Sequence, residues 1–270
     1  MKIIDIDGTR AYQFESFDSS VVEHRLFTRL GGVSKGIWSS LNLAGTVGDE
    51  KEAVAQNHEI MFRAFGAPLS TRFDVWQVHG TQIHFAEAPR PPEQKHKPGD
   101  AIFTDKPGIT LTMRFADCIP LLFHDPVKKV IGIVHAGWLG TALQISRVAV
   151  EAIGKRYGSK ASDLIVGIGP AICGNCYEVG EDVIRRFEKY WRKDYHPFFK
   201  KIKESWFLDI SNANEYILRQ AGVKQIEQSH ICTAENLNEW YSYRKEKGLT
   251  GRFGVVFALK DSKADGKDDK

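Results

Sequence analysis

Residues 114–141 hold two short apolar runs around a break, and nothing else in the chain restricts its fold as tightly. Leu121, Leu122 and Phe123 form the first run, Asp125-Pro126 and Lys128-Lys129 interrupt it, and residues 130–134 form a second, β-branched run. Two apolar runs bounded by turn residues read as a hairpin of buried strands. Cys118 stands just before the first strand and His135 just after the second. In an antiparallel pair the start of one strand lies beside the end of the next. The hairpin therefore brings a thiol and an imidazole to one edge of a sheet. Gly137 then permits a tight exit, and a helix is expected over 143–157.

A third partner comes from upstream. Gln77-Val78-His79-Gly80 follows a strand-like segment, which places His79 to point into a cleft. His79, Cys118 and His135 make a Cys-His-His set. Zinc takes such donors, and three protein ligands with one open position mark a catalytic site. The same residues fit a nucleophile–base pair. Buried cysteines and core histidines are also common. Spacing alone leaves all three readings open.

Around this centre the chain alternates strands and helices without a regular βαβ rhythm, which argues for an α+β domain with mixed sheets. Strands are expected near 21–27, 73–78, 82–86, 109–113, 164–168, 226–232 and 253–259. A helix follows Gly48-Asp49, with Asp49 as N-cap, Glu52 as its capping-box partner and an apolar stripe of Val54, Ile60, Met61 and Phe65. Another helix is expected over 208–221, closed by Gly222. The Pro-rich segment 88–99 reads as an exposed loop. One catalytic domain is expected over 1–260, and the charged tail 261–270 is expected to be disordered.

The net charge of +3 is too mild for a nucleic-acid footprint. No stretch approaches the roughly 20 apolar residues of a membrane span, and the start lacks a signal-peptide core. A cytoplasmic protein acting on small molecules is expected, as a monomer or homodimer. In a reducing compartment Cys118, Cys173, Cys176 and Cys232 are thiols or ligands and not a disulfide framework.

The glycine-rich, basic loop from Thr28 to Gly36 is either a plain connection or a substrate-facing loop in which Arg29 approaches an anion. Cys173-Gly174-Asn175-Cys176 reads as a turn with two incidental thiols, because a zinc ribbon needs a second pair and the other cysteines are single. Asp117 either orients a ligating histidine or caps a turn. Arg244 is either a surface arginine or a bidentate anion contact.

These pieces, in this order, resemble one family. Thr28-Arg-Leu-Gly-Gly-Val-Ser, Ser40-Leu-Asn-Leu, Val47-Gly-Asp, Gln77-Val-His-Gly and Ala116-Asp-Cys-Ile-Pro come first. Val134-His-Ala-Gly-Trp, Gly167-Ile-Gly-Pro-Ala-Ile, Tyr177-Glu-Val and Ser242-Tyr-Arg follow. The order is similar to that of the YfiH-like family, long called polyphenol oxidoreductase or laccase-domain proteins. The resemblance implies a layered αββα sandwich and a zinc held by His79, Cys118 and His135. It implies phosphorolysis of purine nucleosides (inosine, adenosine, guanosine, with methylthioadenosine a further candidate) to free base and ribose-1-phosphate, with adenosine deamination as a second activity. Arg29, Asn42 and Arg244 are candidate contacts to phosphate or nucleoside, and Glu178 a candidate proton shuttle. Leu139 and Lys245 stand where the family usually has arginine, and Cys173 is extra to its pattern. The alternatives are a metal-free hydrolase with Cys118 as nucleophile and a copper-dependent polyphenol oxidase. Copper outranks zinc in raw affinity, but the chain has no His-x-His pair of the kind multicopper oxidases use.

Overall fold

A computed structural model describes residues 1–260; the tail expected at 261–270 lies outside them. In chain order, β1 (Lys2–Ile6), β2 (Thr9–Gln13) and β3 (Val22–Phe27) precede helix α1 (Lys51–Phe65). Next come β4 (Arg72–Phe73), β5 (Ile83–Phe85), β6 (Ala101–Thr104) and β7 (Thr110–Phe115). The central hairpin is β8 (Ile119–Asp125) and β9 (Val130–Ala136). α2 (Trp138–Ala142), α3 (Ile145–Tyr157), β10 (Ile165–Ile168), β11 (Glu178–Val179) and α4 (Glu181–Trp191) follow. β12 (Phe199–Ile202), β13 (Ser205–Leu208), α5 (Ile210–Gln220), β14 (Gln225–Gln228) and β15 (Phe253–Leu259) complete the fold.

Two six-stranded sheets run β1-β2-β3-β15-β7-β4 and β14-β10-β8-β9-β6-β5, beside a three-stranded sheet β11-β13-β12. Both large sheets are mixed: β4 joins β7, β14 joins β10 and β5 joins β6 in parallel, while their other pairings are antiparallel.

Three apolar cores stack these elements into an αββα sandwich. Leu26, Leu111, Met113, Val255 and Phe257 of the first sheet meet Ile102, Leu122, Ile131 and Ile133 of the second. On the outer face of the first sheet, Ala11, Phe27 and Val256 pack on Met61 and Phe65 of α1. On the outer face of the second, Phe103, Leu121 and Val134 pack with Ile145, Ala149, Phe187 and Ile217 of α3, α4 and α5. Each such leucine, isoleucine, valine, methionine or phenylalanine contributes about 1.5–3 kcal/mol when fully buried. Every position of β8 and β9 is buried. A strand covered on both faces carries a continuous apolar run and not an alternating one, which is the pattern their sequence has.

Some local expectations change. The helix expected over 143–157 is α3, starting at Ile145; the short α2 before it, not expected as a helix of its own, is set apart by Gln144 in a left-handed conformation (φ 58°). Asp49 does not cap α1; Glu50 holds that position without a side-chain cap. The Asp49 carboxylate instead accepts from Ser34 Oγ (2.6 Å) and Asn42 Nδ2 (2.8 Å), bracing the glycine-rich loop. The strand expected over 73–78 stops at Phe73, and residues 74–80 form a loop touching the second sheet. Among the described residues, no helix is long and apolar enough to cross a membrane.

Candidate metal centre

The hairpin register sets Ile119 opposite Ala136 and Pro120 opposite His135. Cys118 therefore stands across from Gly137. A Cβ on Gly137 would lie 3.1 Å from Cys118 Sγ and 3.0 Å from His79 Cδ2. Gly137 has φ −79°, open to any residue. Glycine is needed here for space, not for the tight exit the sequence suggests.

His79 arrives on the loop after β4, and two anchors fix that loop. The Gln77 side chain donates to Arg114 O (2.8 Å) and accepts from Arg114 N (3.1 Å), copying a strand pairing against β7. The buried Asp100 carboxylate then accepts the backbone N–H groups of Val78 (3.2 Å), His79 (2.9 Å) and Gly80 (2.7 Å). This cradle holds His79 in the left-handed region, at φ 61°, a conformation a non-glycine residue adopts only when its surroundings enforce it.

Asp100 also lies 2.8 Å from His135 Nδ1. A carboxylate on one ring nitrogen fixes the tautomer and turns the other toward a ligand, the arrangement usual behind metal-bound histidine. Asp100 thus does what the sequence offered as one reading of Asp117. Asp117 instead accepts from Thr233 Oγ1 (2.6 Å) and Arg244 N (2.6 Å), tying two distant loops to the residue before Cys118. Sequence reasoning passed over Asp100, whose only local signal is a Gly-Asp pair opening β6.

The donor atoms of His79, Cys118 and His135 lie within 4.8 Å of one another. His79 is exposed, Cys118 half-buried and His135 buried, so the trio opens on the His79 side. Burial works to raise the Cys118 thiol, but His135 and His79 outweigh it and bring it down to about 6. Burial works to lower His135, but the Cys118 thiolate and Asp100 raise it to about 9. Without a metal the two shifts favour a thiolate beside a protonated imidazole, and a bound cation would take the place of that proton. A soft thiolate and two imidazoles around a gap that glycine keeps clear fit a zinc ion.

Other predicted residues are placed differently. Arg244 is exposed and stacks 4.9 Å over the Tyr177 ring, and its guanidinium donates to Glu178 O. Arg29 is committed elsewhere. It donates to Ser39 O (2.8 Å), Leu237 O (3.0 Å) and Glu246 (3.1 Å), and lies 4.3 Å over Tyr241. Asn42 is fully buried and braces its loop through Ala44, Asp49 and Arg252 N. The Glu178 carboxylate accepts from Ser205 (2.7 Å). Leu139 is half-buried in α2, and Lys245 is exposed. Arg252, which the sequence reading left without a role, is close enough to feel the Cys118 and Asp117 charges.

The two thiols of the Cys-x-x-Cys do not stand alone. Cys173, Cys176, Cys232 and Glu235 place one donor atom each within 4.8 Å of one another. The lone Cys232 is the missing partner, brought in by a bridge between Ala171 and Cys232. All four cysteines are free.

The sequence matches the family model described as multi-copper polyphenol oxidoreductase laccase over residues 23–260. A purine nucleoside phosphorylase of Deinococcus radiodurans is 37% identical over 238 residues, covering 88% of this chain and 89% of that one. The purine nucleoside phosphorylase YlmD of Bacillus subtilis is 33% identical over 243 residues, 87% of each chain. The hypothetical protein YfiH of Bacillus licheniformis superposes with a TM-score of 0.88 at 32% identity, covering 95% of this chain and 98% of that one. YlmD of Geobacillus stearothermophilus gives 0.86 at 29% identity, covering 96% and 98%. Among the described residues, the close groups of three or more His, Cys, Asp and Glu donors are the two above, with two histidines between them. "Multi-copper" is thus a family description that this donor set does not bear out, but the match spans nearly the whole chain: it belongs to the multi-copper polyphenol oxidoreductase laccase family, in which the relatives from Deinococcus radiodurans and Bacillus subtilis are named purine nucleoside phosphorylases.

Proposed function

We propose that this chain is a zinc-dependent purine nucleoside phosphorylase, with residues 1–260 as one catalytic unit and adenosine deamination as a second, slower activity. Inosine, adenosine and guanosine are its substrates, with methylthioadenosine a further candidate. The observation that carries the reading is the open trio of His79, Cys118 and His135, locked by Asp100. The names of its relatives supply the substrate class.

In phosphorolysis a phosphate oxygen bonds to C1′ of the ribose while the C1′–N9 bond breaks. The bonding pair leaves with the purine, which takes up a proton. Zinc, when bound, supplies Lewis acidity at its open position. Arg244 and Arg252 are the cations that fit the phosphate, since neither is locked in an ion pair. Arginine suits this role because its planar fork matches phosphate oxygens. Arg29 shapes the site indirectly, through its loop.

A metal-free cysteine hydrolase is the second reading, and the Cys118–His135 ion pair favours it. Chromatography of the products from inosine, with and without phosphate and with and without chelator, separates the two. The zinc reading expects ribose-1-phosphate and hypoxanthine only with phosphate, and loss of turnover on verified metal removal. Turnover that survives chelation but stops on alkylating Cys118 establishes the hydrolase.

A further inference from the structure

We propose that Cys173, Cys176, Cys232 and Glu235 bind a second zinc ion as a closed, structural site, separate from the His79-Cys118-His135 trio. Nothing in the proposed phosphorolysis needs these four side chains, yet the fold converges them from two turns 56 or more residues apart in sequence.

The ligand count, the chemistry and the spacing all suit one zinc. Structural zinc sites are four-coordinate, rich in cysteine, and often use a Cys-x-x-Cys as one half. A tetrahedron of Zn–S bonds of about 2.3 Å has edges of about 3.8 Å. The donors here span at most 4.8 Å, so closing on an ion asks for a shift of about 1 Å or less. Three soft sulfurs select zinc over magnesium or calcium.

The backbone is already arranged as a sulfur-binding turn. Cys173 O accepts from the N–H groups of both Cys176 and Tyr177 (3.0 Å each), which curls the Cys-x-x-Cys so that both thiols face one way. The Cys173 N–H donates to Cys232 Sγ (3.3 Å), a bond that strengthens when the sulfur is a thiolate. Cys176 Sγ lies 3.6 Å from Glu235 Oε1. A cleft of about 210 Å³ lined by Cys173 and Cys232 supplies an entry path. Binding releases the three thiol protons to water, while Glu235 enters as a carboxylate.

Such a site would rivet a wall of the first one. Ile172 N donates to Asp117 O (3.0 Å) and Thr233 Oγ1 to Asp117 Oδ1 (2.6 Å). Both halves of the cysteine cluster are therefore tied to the residue preceding Cys118.

The test counts zinc and its sulfur ligands in full-length protein purified reduced and without chelator. Elemental analysis should give two zinc per chain, and X-ray absorption an average of two sulfurs per zinc. In the His79→Ala/Cys118→Ala variant one zinc should remain, with three sulfurs. Adding Cys173→Ser and Cys176→Ser, at half-buried turn positions, should remove it. A wild-type chain with one zinc bearing a single sulfur overturns this proposal and leaves the trio reading standing. One zinc bearing three sulfurs supports the proposal and overturns the trio. Iron in place of zinc, or a disulfide among the three cysteines in freshly reduced protein, also overturns it.

Discussion

The cysteines of the two donor groups are the same chemical group in opposite surroundings. Around Cys118 the neighbours are imidazoles, and they bring the thiol down to about 6 against the pull of burial. Around Cys176 and Cys232, burial and neighbouring thiols push both up. The first group has three donors backed by a buried carboxylate, with His79 on the open side. The second has four donors gathered from two turns. Three ligands with a free position suit reaction, and four suit structure. One fold therefore gathers a three-donor set at the end of its central hairpin and a four-donor set from two turns, and the proposed contrast of open and closed sites can be tested ligand by ligand.

The largest effect is expected at the open set. Replacing Cys118 or His135 with alanine should cut phosphorolysis by about a thousandfold or more, roughly 4 kcal/mol of barrier. Zinc bound through three sulfurs should stay. The measurement is initial rate against metal content in each variant. If Cys118→Ala retains near-wild-type turnover, the open set is not the reacting one and the contrast collapses.

Asp100 should come next. Its carboxylate holds three backbone N–H groups of the His79 loop and the His135 ring. Asp100→Asn keeps the volume but removes the charge, and should lower metal affinity at the trio or activity about 10–100-fold. Competition with a chromogenic chelator reads the affinity directly. An equal weakening of the cysteine cluster would show a general loss of fold.

The hairpin and the Cys118–His135 pair at its end were legible because their signal is local, whereas His79 joined them through its place after a strand-like segment and through the family resemblance. Two apolar runs with a Cys and a His at their ends dictate one arrangement, and the register confirms it. Asp100 was not legible, since it reaches His135 across the pairing of β6 with β9, 35 residues on. Cys232 looked single because only the Ala171–Cys232 bridge, a contact distant in sequence, delivers it. The sheet β11-β13-β12 has strands of two to four residues, too short for a readable period. Asn42 and Arg29 sit in a loop whose sequence resembles that of the family, but that likeness does not distinguish a ligand contact from a brace. The separation of α2 from α3 turns on one left-handed residue, Gln144, which no composition marks.

A smaller effect is expected at the arginines. Arg244 rests over Tyr177 at the rim, and its backbone N–H is held by Asp117. Arg244→Ala should raise the KM for phosphate by about tenfold, near 1.4 kcal/mol, with a lesser change in kcat and in the nucleoside KM. Arg244→Lys should recover only part, because a point charge does not replace a fork. An unchanged phosphate KM in both variants would remove Arg244 from the phosphate contacts and leave Arg252.

The smallest effect comes from buried histidines outside both groups, and it shows why His135 is special. His24 and His58 are buried like His135, but burial lowers each to about 3. His135 goes the other way because Cys118 and Asp100 place negative charge against it. His24 Nε2 accepts the N–H of Phe14 at 2.8 Å, so a proton there would meet a donor. His58 Nε2 lies 3.1 Å from Leu43 O. In the unfolded chain both titrate near 6.5. Below that value the unfolded state takes up protons that the native state refuses, so stability falls with falling pH, and continues to fall toward pH 3. Above 6.5 these two residues contribute no slope. The limit is about 1.4 kcal/mol per pH unit for each histidine, and only a fraction of it is reached between pH 7 and 5.5. Urea midpoints across that interval should therefore drift downward in the wild type, and His58→Gln should flatten part of the drift. A His58→Gln variant with an unaltered slope would mean that His58 is protonated in the native state. Burial without a carboxylate partner would then not distinguish these histidines from His135.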